Sequence, residues 1–247
     1  MEQTTSIEKA LEVLFHLHDQ PSGCGVTAVG AALGMPKSST HRLLAALGRR
    51  GLVERDESGL YRPGMALVAL GVGVLEREPV VAAARPILEA EAERQGETLF
   101  LTAARSGRIL VLDKAEGTGF LRAVPRVGSE LPVHATAVGK LYMAVGADQV
   151  ARPRSPQKFT ARTTTRSADI DAELRTVARR GWAENREEWQ PGLAVVAGPV
   201  FLGERLVAAV ALAAPAARLV EADTPAAGER IAEVAAIVSA RLAGSLT

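Results

Sequence analysis

Lys37, Arg42, Arg49 and Arg50 stand in a stretch from Gln20 to Val53 that holds no aspartate or glutamate. Cations grouped in this way can pair with phosphates, and an arginine can also reach the acceptor edge of a guanine. The excess is local, because over all 247 residues the formal net charge is only +1. A basic module inside a neutral protein is the electrostatic footprint of a small DNA reader. The same cations would also suit an ordinary solvated helix face, and charge alone leaves both readings open.

Catalytic chemistry finds little to work with. The four histidines are His16, His18, His41 and His134. No Gly-x-Ser-x-Gly elbow, Walker loop or Cys–His arrangement accompanies them. Gly117-Thr118-Gly119 reads as a turn. Glu187 and Glu188 are neighbours, and neighbours in a strand point to opposite faces, so they do not form an acid/base pair. His134 reads as a residue that shapes its loop rather than as a metal ligand. Cys24 is the only cysteine, which excludes an internal disulfide and a Cys-rich zinc site and suits a reducing compartment. The expectation is a non-enzyme with no catalytic residue, no metal and no cofactor. Met1-Glu2 opens no basic-then-apolar leader, so a cytoplasmic location is expected. The most apolar run, Leu193 to Pro215, is broken by Gly198, Pro199, Gly203, Glu204 and Arg205, and reads as two strands and a turn rather than a membrane span.

Helical spacing of apolar residues from Ser6 to Leu17 predicts a first helix, capped by Ser6. A second, capped by Thr27, ends at Gly34; a third, capped by Ser38, runs to about Arg50. Leu43, Leu44 and Leu47 form the apolar stripe of that third helix, whereas Ser38, Ser39, His41, Arg42 and Arg49 lie mostly off it. Thr40 could face a groove or simply pack beside Leu44. Leu52–Arg55 and Leu60–Arg62 flank a polar, glycine-containing turn, which makes a small hairpin. Three helices closed by a hairpin make a winged helix-turn-helix, assigned to residues 1–64.

An apolar linker helix is expected over 65–78, its surface suited to burial against a second copy. The remainder, 79–247, predicts a helix at Val80–Arg94 and strands at Thr98–Arg105 and Arg108–Lys114 around Ser106-Gly107, with Phe120–Val124 as a third candidate. Helices at Thr136–Val145 and Ala168–Arg180, a polar loop at Glu184–Gln190, a hairpin of Leu193–Phe201 and Arg205–Ala213, and a closing helix at Glu221–Leu242 follow. Mixed strands with outer helices describe an α+β sensor-like domain.

Three ordered motifs carry a resemblance. The first is Pro36-Lys37-Ser38-Ser39-Thr40-His41-Arg42-Leu43-Leu44, followed by Gly51-Leu52-Val53 and Tyr61. The second is Gly128-Ser129-Glu130-Leu131-Pro132-Val133-His134-Ala135-Thr136-Ala137-Val138-Gly139-Lys140. The third is Arg180-Gly181-Trp182, Glu187-Glu188, Pro191-Gly192-Leu193 and Pro199-Val200. Together they resemble the IclR family, named for the isocitrate lyase regulator, over nearly the whole chain. The resemblance implies a GAF-like effector domain, a homodimer or dimer of dimers on a palindromic or pseudo-palindromic double-stranded operator, and a small organic effector. It implies DNA contacts from Lys37, Ser38, Ser39, Thr40, His41, Arg42 and, on the wing, Arg62.

It also places the effector between the loop at Leu131–Gly139 and the strands after Glu187-Glu188. Glyoxylate-type members use backbone N–H groups with a carboxylate, a thiol and two serines. The matching residues here are Ala137 and Val138 for the N–H groups, Asn185 for the carboxylate, Val195 for the thiol, and Ala211 and Ala213 for the serines. A pocket without those polar partners cannot satisfy a small hydrated oxoacid. With aromatics at 4 % of the chain its walls must be aliphatic, which favours an acid with an aromatic or branched body, unless the pocket is displaced from these positions. Two rival readings stay open: an enzyme with an appended helix-turn-helix, and a small-molecule-binding module that no longer reads DNA.

Overall fold

The computed structural model describes residues 5–119 and 125–245, and the strand expected at Phe120–Val124 lies outside them. The chain divides into two compact units, Met1–Arg77 and Glu78–Thr247.

In the first unit, α1 (Ser6–His18), α2 (Val26–Ala32) and α3 (Lys37–Arg49) precede a hairpin of β1 (Val53–Arg55) and β2 (Tyr61–Pro63), and α4 (Met65–Leu75) follows. Cys24 exchanges both backbone hydrogen bonds with Tyr61, so the loop after α1 adds a third rung to the wing. Val13, Leu17, Val29, Met35, Leu44, Leu47, Val53 and Tyr61 form one core under all three helices. The apolar stripe of α1 is wider than this core uses, and Ile7, Leu11 and Phe15 remain exposed. None of the residues of α4 is buried.

Three helix starts differ from the sequence reading. Thr5, not Ser6, caps α1, in a reciprocal box with Glu8. Gly25 precedes α2 and Pro36 precedes α3, neither with a side-chain cap, so Thr27 and Ser38 lie inside their helices. Pro36 sets the boundary because its ring fixes φ near the value a helix entry needs and its N–H is not required there.

The second unit is built on a six-stranded antiparallel sheet. Its strands are β3 (Thr98–Arg105), β4 (Arg108–Ala115), β5 (Glu130–Leu131), β6 (Ala183–Arg186), β7 (Leu193–Leu202) and β8 (Arg205–Pro215), in the order β5-β4-β3-β8-β7-β6. Side chains alternate in direction along each strand. Leu99, Val196, Val210 and Leu212 therefore share one face, against α5 (Pro79–Gln95) and α8 (Thr224–Ser245). Phe100, Val195, Ala197, Ala211 and Ala213 share the other, under α6 (Ala137–Val145), with α7 (Ser167–Arg180) packed on α6. α5 and α8 are clamped by Glu91, which accepts hydrogen bonds from Arg94, Gln95 and Arg230. Burial pushes the Glu91 carboxyl up, but those three donors outweigh it and hold the group at about 2.

Only the first three residues of the loop expected at Glu184–Gln190 differ, since Glu184, Asn185 and Arg186 belong to the edge strand β6, and residues 187–190 remain a loop. Ala183 and Asn185 point inward and Glu184 and Arg186 outward, a true two-residue period hidden by the polar residue at an inward position. Among the described residues no helix is long and apolar enough to cross a membrane.

Candidate nucleic-acid interface and effector site

α3 buries Thr40, Leu44 and Leu47 and turns Lys37, Ser38, His41, Arg42 and Arg49 outward, with Ser39 half-buried. Spacings of three, four and seven place these outward residues along one ridge. Because no side chain caps α3, the first-turn N–H groups of Lys37, Ser38 and Ser39 point away from the helix unshared with any cap. Such a terminus receives a phosphate well, and the helix dipole adds to the attraction.

Thr40 is the exception among the expected contacts. It is fully buried, and its hydroxyl donates to Pro36 O at 3.1 Å. A Cβ on Gly30 would lie 3.0 Å from the Thr40 Oγ1 and 2.9 Å from Met35 O. Thr40 thus sets how closely α2 and α3 pack and does not face a groove. On the wing, Arg62 makes a loose 3.6 Å ion pair with Glu54, both side chains well exposed. A pair of that kind exchanges for a phosphate at little cost.

In the second unit, Leu131, Ala137, Val138, Val195, Ala211 and Ala213 all fall in one apolar cluster between α6 and the sheet. The register sets Asn185 beside Val195 and Val195 beside Ala213, with Ala197 beside Ala211 one step along. Asn185 is 2 % exposed and donates through Nδ2 to Ala135 O at 2.5 Å, which ties the sheet edge to the turn that opens α6. Its Oδ1 has no hydrogen-bond partner among the described residues. That turn is fixed from within. The Thr136 hydroxyl donates to Pro132 O and accepts from the Gly139 N–H. A Cβ at position 139 would meet Val133 O at 1.9 Å, so only glycine lets the loop lie on the helix. His134 is buried in the same loop, stacked on Phe159 and bonded to Gln157 O, with no metal-binding group of side chains among the described residues.

Behind the turn, Lys140 is 1 % exposed and spends its ammonium on Glu173 Oε1 at 2.5 Å, Glu188 Oε1 at 2.5 Å and Glu184 O at 3.2 Å. Burial pushes the Glu188 carboxyl up by more than the Lys140 ammonium draws it down. Thr160 and Thr163 donate to the Glu188 carbonyl and hold the loop after β6 in place.

Comparison with known proteins identifies both parts of the chain. Residues 6–57 match the IclR helix-turn-helix domain, and residues 72–240 match the bacterial transcriptional regulator IclR C-terminal domain. The chain belongs to the IclR family. It is 31 % identical over 224 residues, 88 % of this chain and 89 % of the other, to the HTH-type transcriptional regulator XynR of Escherichia coli. An IclR transcriptional regulator from Alicyclobacillus acidocaldarius superposes with a TM-score of 0.82 at 26 % identity, covering 97 % of this chain and 99 % of that one. An IclR homologue from Microbacterium hydrocarbonoxydans, solved with 4-hydroxybenzoate, has the same fold with a TM-score of 0.82 at 21 % identity, covering 96 % of this chain and 99 % of that one. The protein is therefore a transcriptional regulator with a DNA-binding helix-turn-helix and an effector-binding domain, and not an enzyme.

Sequence reasoning missed the Lys140 cluster in this IclR-family domain. A signal was available, since Lys140 is the only charged residue in the apolar helix Ala137–Val145. A lone charge on a helix that is apolar all round requires an internal partner.

Proposed function

We propose that this regulator reads a two-fold symmetric operator as a homodimer, with α3 of each protomer in a major groove, and that a carboxylic acid with an aromatic or branched apolar body controls it. Residues 1–64 would read DNA, 65–78 link, and 79–247 sense the acid in the cytoplasm. The outward ridge of α3 carries the DNA reading. Lys37, His41 and Arg42 are exposed there, and no ion pair neutralises them among the described residues. In this reading Arg42 reaches base edges, Lys37, Ser38 and Ser39 meet phosphate, His41 lines the groove, and Arg62 holds the flanking backbone.

Dimer formation rests on the surface that the first unit leaves uncovered. Met65, Val68, Leu70, Val72 and Val74 on α4 are exposed, as are Ile7, Leu11 and Phe15 on α1. So much apolar surface in one small unit calls for a partner, and a second copy supplies the symmetry that two half-sites require. Light scattering of the full chain at micromolar concentration should give a dimer or larger, and selection from random duplexes should return an inverted repeat. A monomer, or enrichment of a single unrepeated half-site, defeats the reading.

The acid would lie where Ala137 and Val138 open α6, its anionic end on their N–H groups and its body over Val195, Ala211 and Ala213 near Leu131. Asn185 supplies an acceptor at that end. Burying a ring-sized surface of about 100 Å² contributes roughly 2–3 kcal/mol before entropic costs, enough to favour such acids over two-carbon ones. Calorimetric titration should rank an aromatic or branched acid above glyoxylate and pyruvate, with Ala211→Ser narrowing the gap. Tighter binding of glyoxylate or pyruvate than of every larger acid refutes the apolar pocket.

A further inference from the structure

The strand register puts Asn185, Val195, Ala213 and Thr98 in one row across β6, β7, β8 and β3, all on the face beneath α6. The two middle residues are apolar. The two outer ones each carry a polar atom that is buried and lacks a hydrogen-bond partner among the described residues: Asn185 Oδ1 at one end and Thr98 Oγ1 at the other. Thr98 is fully buried. Burying a hydroxyl unpaired is costly, so a structure that keeps one has a use for it or a partner to meet. The sheet itself can satisfy a threonine on this face: Thr102, one full pleat repeat further than Phe100, donates to Ala209 O. Thr98 makes no such bond.

We propose that Thr98 is the far polar contact of the effector site, so that the effector carries polar groups at both ends of its apolar body. This rests on the effector site proposed above. Three interstrand steps of about 4.8 Å separate the ends of the row, and hydrogen bonds of about 2.8 Å at each end leave roughly 9 Å between the two ligand oxygens. That is the scale of an aromatic ring bearing a polar group at each end, and it is too long for a two- or three-carbon acid. The near end has both a carboxylate seat, the α6 N–H groups, and an acceptor, Asn185 Oδ1. A carboxylate flanked by a hydroxyl satisfies both, with the hydroxyl donating to Asn185. The far end takes a hydroxyl, which Thr98 Oγ1 can meet as donor or acceptor.

Four acids test this on the full chain by calorimetry: phenylacetate, 4-hydroxyphenylacetate, mandelate and 4-hydroxymandelate. In the wild type the para-hydroxyl should tighten binding roughly fivefold to tenfold in either pair, about the worth of one hydrogen bond. In Thr98→Val that gain should vanish, while the gain from the α-hydroxyl persists. Valine keeps the shape and removes only the unpaired hydroxyl, so the ligand-free variant should melt no lower than the wild type. A para-hydroxyl gain that is absent from the wild type or survives in Thr98→Val overturns the assignment, and so does a lower melting temperature, which would mean the fold itself uses the hydroxyl. If the unsubstituted aromatic acids bind without any para effect, only the role of Thr98 fails. If glyoxylate outbinds all four, or none of the four binds, the effector reading fails with it.

Discussion

Arg42→Ala should weaken operator binding by about 5- to 150-fold, the range given by 1–3 kcal/mol for one base or phosphate contact, without altering the fold or oligomeric state. The asymmetry of α3 is the reason. Arg42 lies on the exposed ridge, while the helix is anchored by Thr40, Leu44 and Leu47 on its other side. Truncating Arg42 therefore removes a contact and no packing. Thr40→Ala should behave in the opposite way: it disturbs the close α2–α3 approach at Gly30 and lowers stability before it lowers intrinsic affinity. A mobility-shift titration at fixed moderate salt, paired with thermal melting, separates the two. Undiminished binding by Arg42→Ala would remove α3 from the interface, because affinity for DNA is dominated by such cationic contacts.

Lys140→Met should cost about 3–5 kcal/mol of stability in the effector-binding unit, the penalty for leaving a buried charge without its partner. Methionine fills most of the space of the lysine stem but leaves Glu173 and Glu188 facing each other with no cation between them. The loss has a pH signature. Burial already raises the Glu188 carboxyl in the folded protein, and removing the ammonium raises it further. A carboxyl whose folded value lies above its unfolded one holds its proton more tightly when folded, so its contribution to stability declines as pH rises through that interval. The deficit of Lys140→Met should therefore be large near neutrality and shrink as pH falls toward the carboxylate range. Adding Glu188→Gln should recover part of it at neutral pH. Urea denaturation across pH provides the measurement, and a Lys140→Met chain as stable as wild type would mean that the cluster is incidental.

The two candidate sites can be read from the sequence to different depths. The outward ridge of α3 could be read directly, because an amphipathic helix sorts its residues by period alone and Leu44 and Leu47 fixed which side was inward. The hairpin of β3 and β4 was equally plain from Ser106-Gly107 between apolar strands. What escaped were positions where function or long-range pairing overrides local pattern. β6 looked like a loop because its inward residue at 185 is an asparagine, and that asparagine is inward because it holds the α6 turn. β5 contributes only Glu130 and Leu131, too few to show any period. Thr98 reads as an ordinary strand threonine until the registers of β3, β8, β7 and β6 align it with Asn185 three strands away. The ion cluster joins residues 33 and 48 positions apart, a separation no local window spans.

The row of small side chains beneath α6 has an evolutionary consequence. Ala197, Ala209, Ala211 and Ala213 present only methyl groups on that face, while the residues that clamp the sheet to α5 and α8 point the opposite way. If the effector lies where we propose, exchanging one methyl for a hydroxymethyl or a larger group would redraw what the protein can recognise yet leave its other face, its wing and its reading helix untouched. Recognition of a metabolite and recognition of DNA can thus drift independently along one lineage, so a duplicated copy could acquire a new signal in a few single-residue steps while still addressing its old operator.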